Sequence, residues 1–164
     1  MKKKICLVGD FSVGKTSLTQ QFVNQVFSDK YLTTVGVKID TKSLLLDEKE
    51  VKLVIWDVAG RDALSPLNAN YLVGAAGFLL VIDGTRRDTI QSAKTLIETV
   101  KHKNAKATFV VLVNKNDLQE QWQFTERDYE EYTALGWHVM TSSAKTGENV
   151  EEAFRMLARK MLEN

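Results

Sequence analysis

The chain has 164 residues, of which 44 % are apolar and 26 % charged, and a formal net charge of +1. These values describe one ordinary globular domain over 1–164 with enough sequence to bury a core. They exclude a chain held to a polyanion by bulk charge or kept unfolded by its composition. No apolar stretch is long enough to span a bilayer, and the single cysteine, Cys6, lies inside an apolar run with no partner for an internal disulfide.

A reduced, buried thiol in a cytoplasmic protein is therefore expected. The Met-Lys start and the Met161–Asn164 end carry no lipidation signal, so no direct membrane anchor is expected either. The basic run Lys2–Lys4 reads as the solubilising start of a strand rather than a nucleic-acid or lipid contact, because three charges give little anchoring.

Apolar runs then alternate with helical patterns to the end of the chain. Ile5–Val8 predicts a short buried strand, and Leu18, Phe22 and Val26 predict a helix over 15–26. Two extended segments, Val35–Leu46 and Val51–Asp57, flank a hairpin turn at Asp47–Glu50. Phe78–Asp83 predicts a strand, and Ile90, Ala93, Ile97 and Val100 mark one face of a helix. Thr108–Val113 is nearly continuously apolar, as in a strand buried on both faces. Thr125 and Asp128 form a capping-box pattern before a helix over 126–135 that Gly136 closes. Trp137–Thr141 predicts the last strand. Val150, Ala153, Phe154, Leu157 and Met161 line a final amphipathic helix. Such alternation argues for an α/β fold: a six-stranded, mainly parallel sheet with one antiparallel edge strand and helices on both faces.

Three motifs fall where strands end, which is where ligands bind in such sheets. Gly9-Asp10-Phe11-Ser12-Val13-Gly14-Lys15-Thr16 fits G-x-x-x-x-G-K-[ST] directly after a strand and before a helix. In a loop of this kind glycines let backbone N–H groups turn inward onto phosphate oxygens, Lys15 reaches the β- and γ-phosphates, and Thr16 offers its hydroxyl to Mg²⁺. Asn114-Lys115-Asn116-Asp117 follows a buried strand. A carboxylate at Asp117 can accept from guanine N1–H and the 2-amino group, a donor pair that adenine lacks. Lys115 can lay its stem over the base, and Asn114 can tie this loop to the first. Asp57-Val58-Ala59-Gly60 ends a strand, where Asp57 can hold Mg²⁺ through water and the Gly60 N–H can meet the γ-phosphate.

Taken together and in this order, with Tyr31–Val37 and Ser143-Ala144-Lys145, the motifs make the chain resemble the small GTPases of the Ras superfamily. Val35-Gly36-Val37, Trp56 and Tyr71–Ala75 make it most similar to the Rab branch. The resemblance covers essentially the whole chain and implies a P-loop G domain that binds GTP/GDP with Mg²⁺. It implies that Thr34 joins Mg²⁺ when the γ-phosphate is present, giving Thr16, Thr34 and Asp57 as metal residues. Phe27 would pack against the base, Ala144 would give its N–H to guanine O6, and Lys145 would support that loop. The nucleotide-binding set is then Asp10, Phe11, Ser12, Val13, Gly14, Lys15, Thr16, Ser17, Phe27, Thr34, Gly60, Asn114, Lys115, Asp117, Leu118, Ser143, Ala144 and Lys145, with Lys15, Thr34, Gly60 and Arg61 in the catalytic part. Loss of the γ-phosphate would release the segments carrying Thr34 and Gly60, switch I and switch II. Protein effectors would read that change, with an exchange factor and an activator as further expected partners.

Two departures bear on hydrolysis. Arg61 stands where the family usually has the glutamine that orients water, and a guanidinium has no acceptor. Phe11 stands where most relatives have a small residue, and a phenyl ring there crowds the γ-phosphate. The expectation is a guanine-nucleotide switch with slow hydrolysis. A GTP-locked binding module that does not cycle is the alternative, and a P-loop phosphotransferase would need a second substrate pocket for which no segment is spare. His102 and His138 join no cluster and read as structural.

Overall fold

The computed structural model describes residues 1–27, 37–58 and 69–163, the side chains of 69 and 70 excepted. Its elements in chain order are β1 (Lys2–Val8), α1 (Lys15–Asn24), β2 (Val37–Leu46), β3 (Lys49–Val58), β4 (Gly77–Asp83), α2 (Arg87–Gln91), α3 (Ala93–Lys103), β5 (Thr108–Asn114), α4 (Glu126–Ala134), β6 (Val139–Thr141) and α5 (Val150–Glu163), with short 3-10 turns at Ala69–Leu72 and Gln119–Gln121. The strands form one sheet in the order β2-β3-β1-β4-β5-β6. Among the described residues only β2 with β3 is antiparallel, and the other pairs are parallel.

The period of two along each strand divides the core. Ile5 and Leu7 of β1, Leu79 and Val81 of β4, and Val110 and Leu112 of β5 face α1 and α5, where the Phe22 and Phe154 rings stack with centroids 3.9 Å apart. Cys6, Val8, Phe78, Leu80, Ile82, Val111 and Val113 face the opposite layer, packed on Ile90, Ile97 and Val100. Strands buried on both faces explain why their sequences read as unbroken apolar runs rather than alternating ones. Burial pushes the Cys6 thiol up to about 11, which leaves it unreactive.

Boundaries differ from the sequence reading for local reasons. The helix expected over 15–26 stops at Asn24, because Gln25 turns into the left-handed region at φ +57° and gives its N–H to Gln21. The helix expected around 90–100 is two helices broken at Ser92, whose hydroxyl bonds to Thr89 O and Asp10 Oδ2. The last strand begins at Val139 rather than Trp137. The Trp137 N–H closes α4 on Tyr132 O, its ring packs against Tyr132, and His138 precedes the strand instead of lying in it. The hairpin turns on Asp47 and Glu48 alone, both at positive φ, and Lys49 and Glu50 belong to β3.

The capping box forms as expected: Thr125 accepts from the Asp128 N–H, and the Asp128 carboxylate accepts from the Thr125 N–H. Asp128 also takes a two-pronged ion pair from Arg87, at 2.5 and 2.6 Å, tying α2 to α4. The guanidinium, followed by the cap hydrogen bonds, outweighs burial and lowers the Asp128 carboxyl to about 2. A folded-state value below the unfolded one contributes stability above about pH 4 that is lost as the pH falls through 2. Asp128→Ala should therefore cost about 2 kcal/mol near neutrality. In urea denaturation the gap from the parent protein should close between pH 4 and pH 2.

Candidate functional site

The strand order changes direction beside β1, with β3 on one side and β4 on the other, and the loop Gly9–Gly14 leaves β1 at this point. A Cβ on Gly9 would stand 2.3 Å from Val81 O of the neighbouring strand, so only glycine fits there. Gly14 sits at φ +102° as the N-cap residue just before α1, and a Cβ there would meet Asn114 Nδ2 at 2.3 Å. Ser12 also takes a positive φ, +62°.

Every carbonyl from Gly9 to Val13 is gripped by a side-chain donor. Lys15 Nζ donates to Gly9 O at 3.0 Å and Asp10 O at 2.9 Å. Arg86 Nη1 donates to Phe11 O at 2.8 Å, Lys115 Nζ to Ser12 O at 2.8 Å, and Asn114 Nδ2 to Val13 O at 3.0 Å. A peptide whose oxygen is held on one side presents its N–H on the other, so this pattern shapes a concave run of amides. The α1 N-terminus lies at its end with no side-chain cap.

Lys15 is buried, and burial lowers its ammonium to about 8, although Asp57 and Asp10 draw it back upward. Val13 is in the core, Ser17 is half-buried, and Ser12 and Phe11 are exposed, the phenyl ring at 49 %. Asp57, at the end of β3 and paired in register with Leu7, is fully buried. Its Oδ2 accepts from Thr16 Oγ1 at 2.5 Å. A hydroxyl and a carboxylate held together are hard oxygen donors of the kind Mg²⁺ takes in small number from protein, and a buried ammonium with a lowered pKa favours an anion beside it. These residues thus fit a magnesium-bound phosphate.

On the other side of the loop, Asp117 Oδ1 accepts from Ser143 Oγ at 2.7 Å, and Ser143 Oγ in turn accepts from the Thr146 N–H at 3.1 Å. Asn114 Oδ1 accepts from Ser142 Oγ at 3.2 Å and from the Ala144 N–H at a long 3.3 Å. Asn114 therefore joins the phosphate-side loop to the segment 142–144. Lys115 adopts a positive φ, +71°, and its ammonium lies between Ser12 O and the Asp83 carboxylate, 2.8 Å from each. Asp117 and Lys145 are exposed, Leu118 is half-buried, and Ala144 is buried. Phe27 is an exposed ring just beyond α1. The structure thus brings Gly9–Ser17, Asp57, Asn114–Asp117 and Ser143–Ala144 to one end of the sheet; Thr34, Gly60 and Arg61 lie outside the described residues.

Residues the motifs did not single out also reach this end. Arg86 holds Phe11 O, Ser92 Oγ donates to Asp10 Oδ2 at 3.1 Å, and Asp83 pairs with Lys115. Only Asp83, an acid closing an apolar strand, carried a sequence signal. Among the described residues no helix is long and apolar enough to cross a membrane. The sequence model of the Ras family matches residues 4–163.

Proposed function

Because the chain belongs to the Ras family, we propose that it is a guanine-nucleotide switch of Rab-like type that hydrolyses GTP slowly. Family membership carries small-GTPase character in general: binding of GTP and GDP, generally with Mg²⁺, GTPase activity, and effector and regulator proteins. The observation that supports guanine-nucleotide binding at this place is the pairing of two devices at one sheet end. One is a loop whose five carbonyls from Gly9 to Val13 each accept from a side-chain donor, with Lys15 buried beside it. The other is the Asp117 carboxylate, fixed from behind by Ser143.

In this reading the loop amides and Lys15 bind the phosphates, and Asp117 accepts from the guanine edge. Lys115 lies along the base and Phe27 packs against it, while Ala144 and Lys145 complete the base loop. Thr16 and Thr34, with Asp57 through water, would hold Mg²⁺, which would supply charge neutralisation at the phosphates. Thr34 and Gly60 tether switch I and switch II to the γ-phosphate, and effectors read the ordered form. A Rab-like surface is supported by Ile39, exposed and paired across strands with Trp56, and by Tyr71, whose ring centroid lies 6.1 Å from that of Trp56. Lys4 Nζ stands 3.8 Å over the same indole. In this reading the G domain acts in the cytoplasm.

Slow hydrolysis rests on Arg61, which lacks an acceptor for the attacking water, and on Phe11, an exposed ring on the phosphate loop. Single-turnover assays should show Arg61→Gln and Phe11→Gly each raising the rate roughly tenfold or more, the order of a water-orienting group. Rates unchanged by both substitutions would sink the explanation. Chromatographic identification of nucleotide on purified protein separates the cycling switch, which accumulates GDP, from a locked module, which retains GTP.

A further inference from the structure

Five carbonyls of the phosphate loop are held by four side chains, and three of those side chains (Lys15, Lys115 and Asn114) belong to the motifs already discussed. The fourth does not. Arg86 sits in the turn between β4 and α2, and its guanidinium reaches across to Phe11 O with Nη1 at 2.8 Å while Nη2 meets Asp88 at 3.2 Å. The turn itself is well anchored. Asp83 Oδ1 accepts from both the N–H and the hydroxyl of Thr85, and the Arg86 N–H donates to Asp83 O. Gly84 O receives the N–H groups of Gln123 and Phe124, and Trp122 packs where a Gly84 Cβ would be. A planar guanidinium on so firm a base can serve two acceptors at once, which a lysine cannot do with the same fork.

The geometry points to Arg86 as a positioning residue that holds the Phe11–Ser12 peptide in its phosphate-gripping orientation and thereby sets how fast guanine nucleotide leaves. This rests on the reading of Gly9–Thr16 as the phosphate loop. The physical step is short. Ser12 is held at a positive φ that a non-glycine residue leaves when nothing opposes it. The carbonyl bonds on either side, from Arg86 to Phe11 O and from Lys115 to Ser12 O, oppose that relaxation. Removing the first frees the peptide whose N–H, at Ser12, turns inward. A second tie from the same region supports the assignment: Ser92, at the α2–α3 break, donates to the Asp10 side chain of the loop. Its neighbour Arg87 supplies the contrast, because its guanidinium goes to Asp128 and to Gln123 O rather than to the loop.

The test is release of a fluorescent GDP analogue into excess unlabelled GDP at fixed Mg²⁺, with thermal midpoints measured in parallel. Arg86→Ala is expected to speed release about tenfold, the effect of one charge-assisted hydrogen bond, at a nearly unchanged midpoint. Arg86→Lys should fall between it and the parent protein. Arg87→Ala should lower the midpoint and leave release within twofold. Release from Arg86→Ala within twofold of the parent protein overturns the assignment, as does equal acceleration by Arg87→Ala. A parent chain that holds no fluorescent GDP overturns the guanine-nucleotide reading instead.

Discussion

Asp117→Asn should weaken guanine-nucleotide binding by about 10³- to 10⁵-fold and turn the preference toward xanthine nucleotides, the range expected when a site built for specific hydrogen bonds meets a mismatched partner. Guanine presents two donors side by side, N1–H and the 2-amino group, and a carboxylate presents two acceptors. Asparagine replaces one acceptor with an amide NH₂, so a donor faces a donor and both lose their partner on leaving water. Xanthine carries a carbonyl where guanine carries the amino group, which restores the match. The protein favours one orientation of the new amide: Ser143 Oγ donates to Asp117 Oδ1 at 2.7 Å while accepting from the Thr146 N–H, so keeping that donated hydrogen bond places the amide oxygen toward Ser143. Asp117 is exposed, so the substitution should leave the fold intact. Competition against fluorescent GDP with GDP and xanthosine diphosphate measures both effects. A variant binding GDP within tenfold of the parent protein would show that Asp117 does not read the base.

The parts of this site legible in the sequence are those whose chemistry sits in side chains at short, fixed spacing. Gly9, Gly14, Lys15 and Thr16 announce themselves because loop curvature, charge and hydroxyl are each a residue type, and Asn114–Asp117 because it follows an unmistakable apolar strand. The strands buried on both faces were legible for the same reason. Arg86 was not, because its partner is a backbone carbonyl 75 residues away, and a carbonyl has no sequence signature. The break at Ser92 was hidden by the apolar stripe Ile90, Ala93 and Ile97, which passes through a one-residue interruption with its face kept toward the sheet. Trp137 looked like strand because aromatic residues favour strands, yet its N–H closes the preceding helix. For Arg86 and Ser92 a hydrogen bond to the distant phosphate loop, and for Trp137 a local one closing α4, accompanies what residue preference alone left open.

Nucleotide binding should take up a proton at mildly alkaline pH, and Lys15 should be the group that receives it. Burial lowers the Lys15 ammonium from 10.5 to about 8, with the Asp57 and Asp10 carboxylates recovering only part of the shift. A phosphate beside it favours the charged form and carries the value back upward. Between the two values the complex holds a proton that the protein alone does not, so affinity falls as the pH rises above 8. At pH 8.5 roughly three quarters of a proton should be taken up per GDP bound, against about a tenth at pH 7, and the dissociation constant should rise about fourfold between them. Folding responds with the opposite sign: because the lysine's folded value lies below its unfolded one, protein stripped of nucleotide gains stability from this group as the pH climbs from 8 toward 10.5. Calorimetry of GDP binding in buffers of different ionisation enthalpy reads the uptake directly. Lys15→Arg keeps the charge but cannot titrate in this range, so it should abolish the uptake. Lys15→Met should lower affinity by about 10²- to 10⁴-fold, because it removes charge-assisted bonds to two phosphates from a buried position. An uptake that persisted in Lys15→Arg would assign the proton to another group and leave the buried ammonium without its proposed part in phosphate binding.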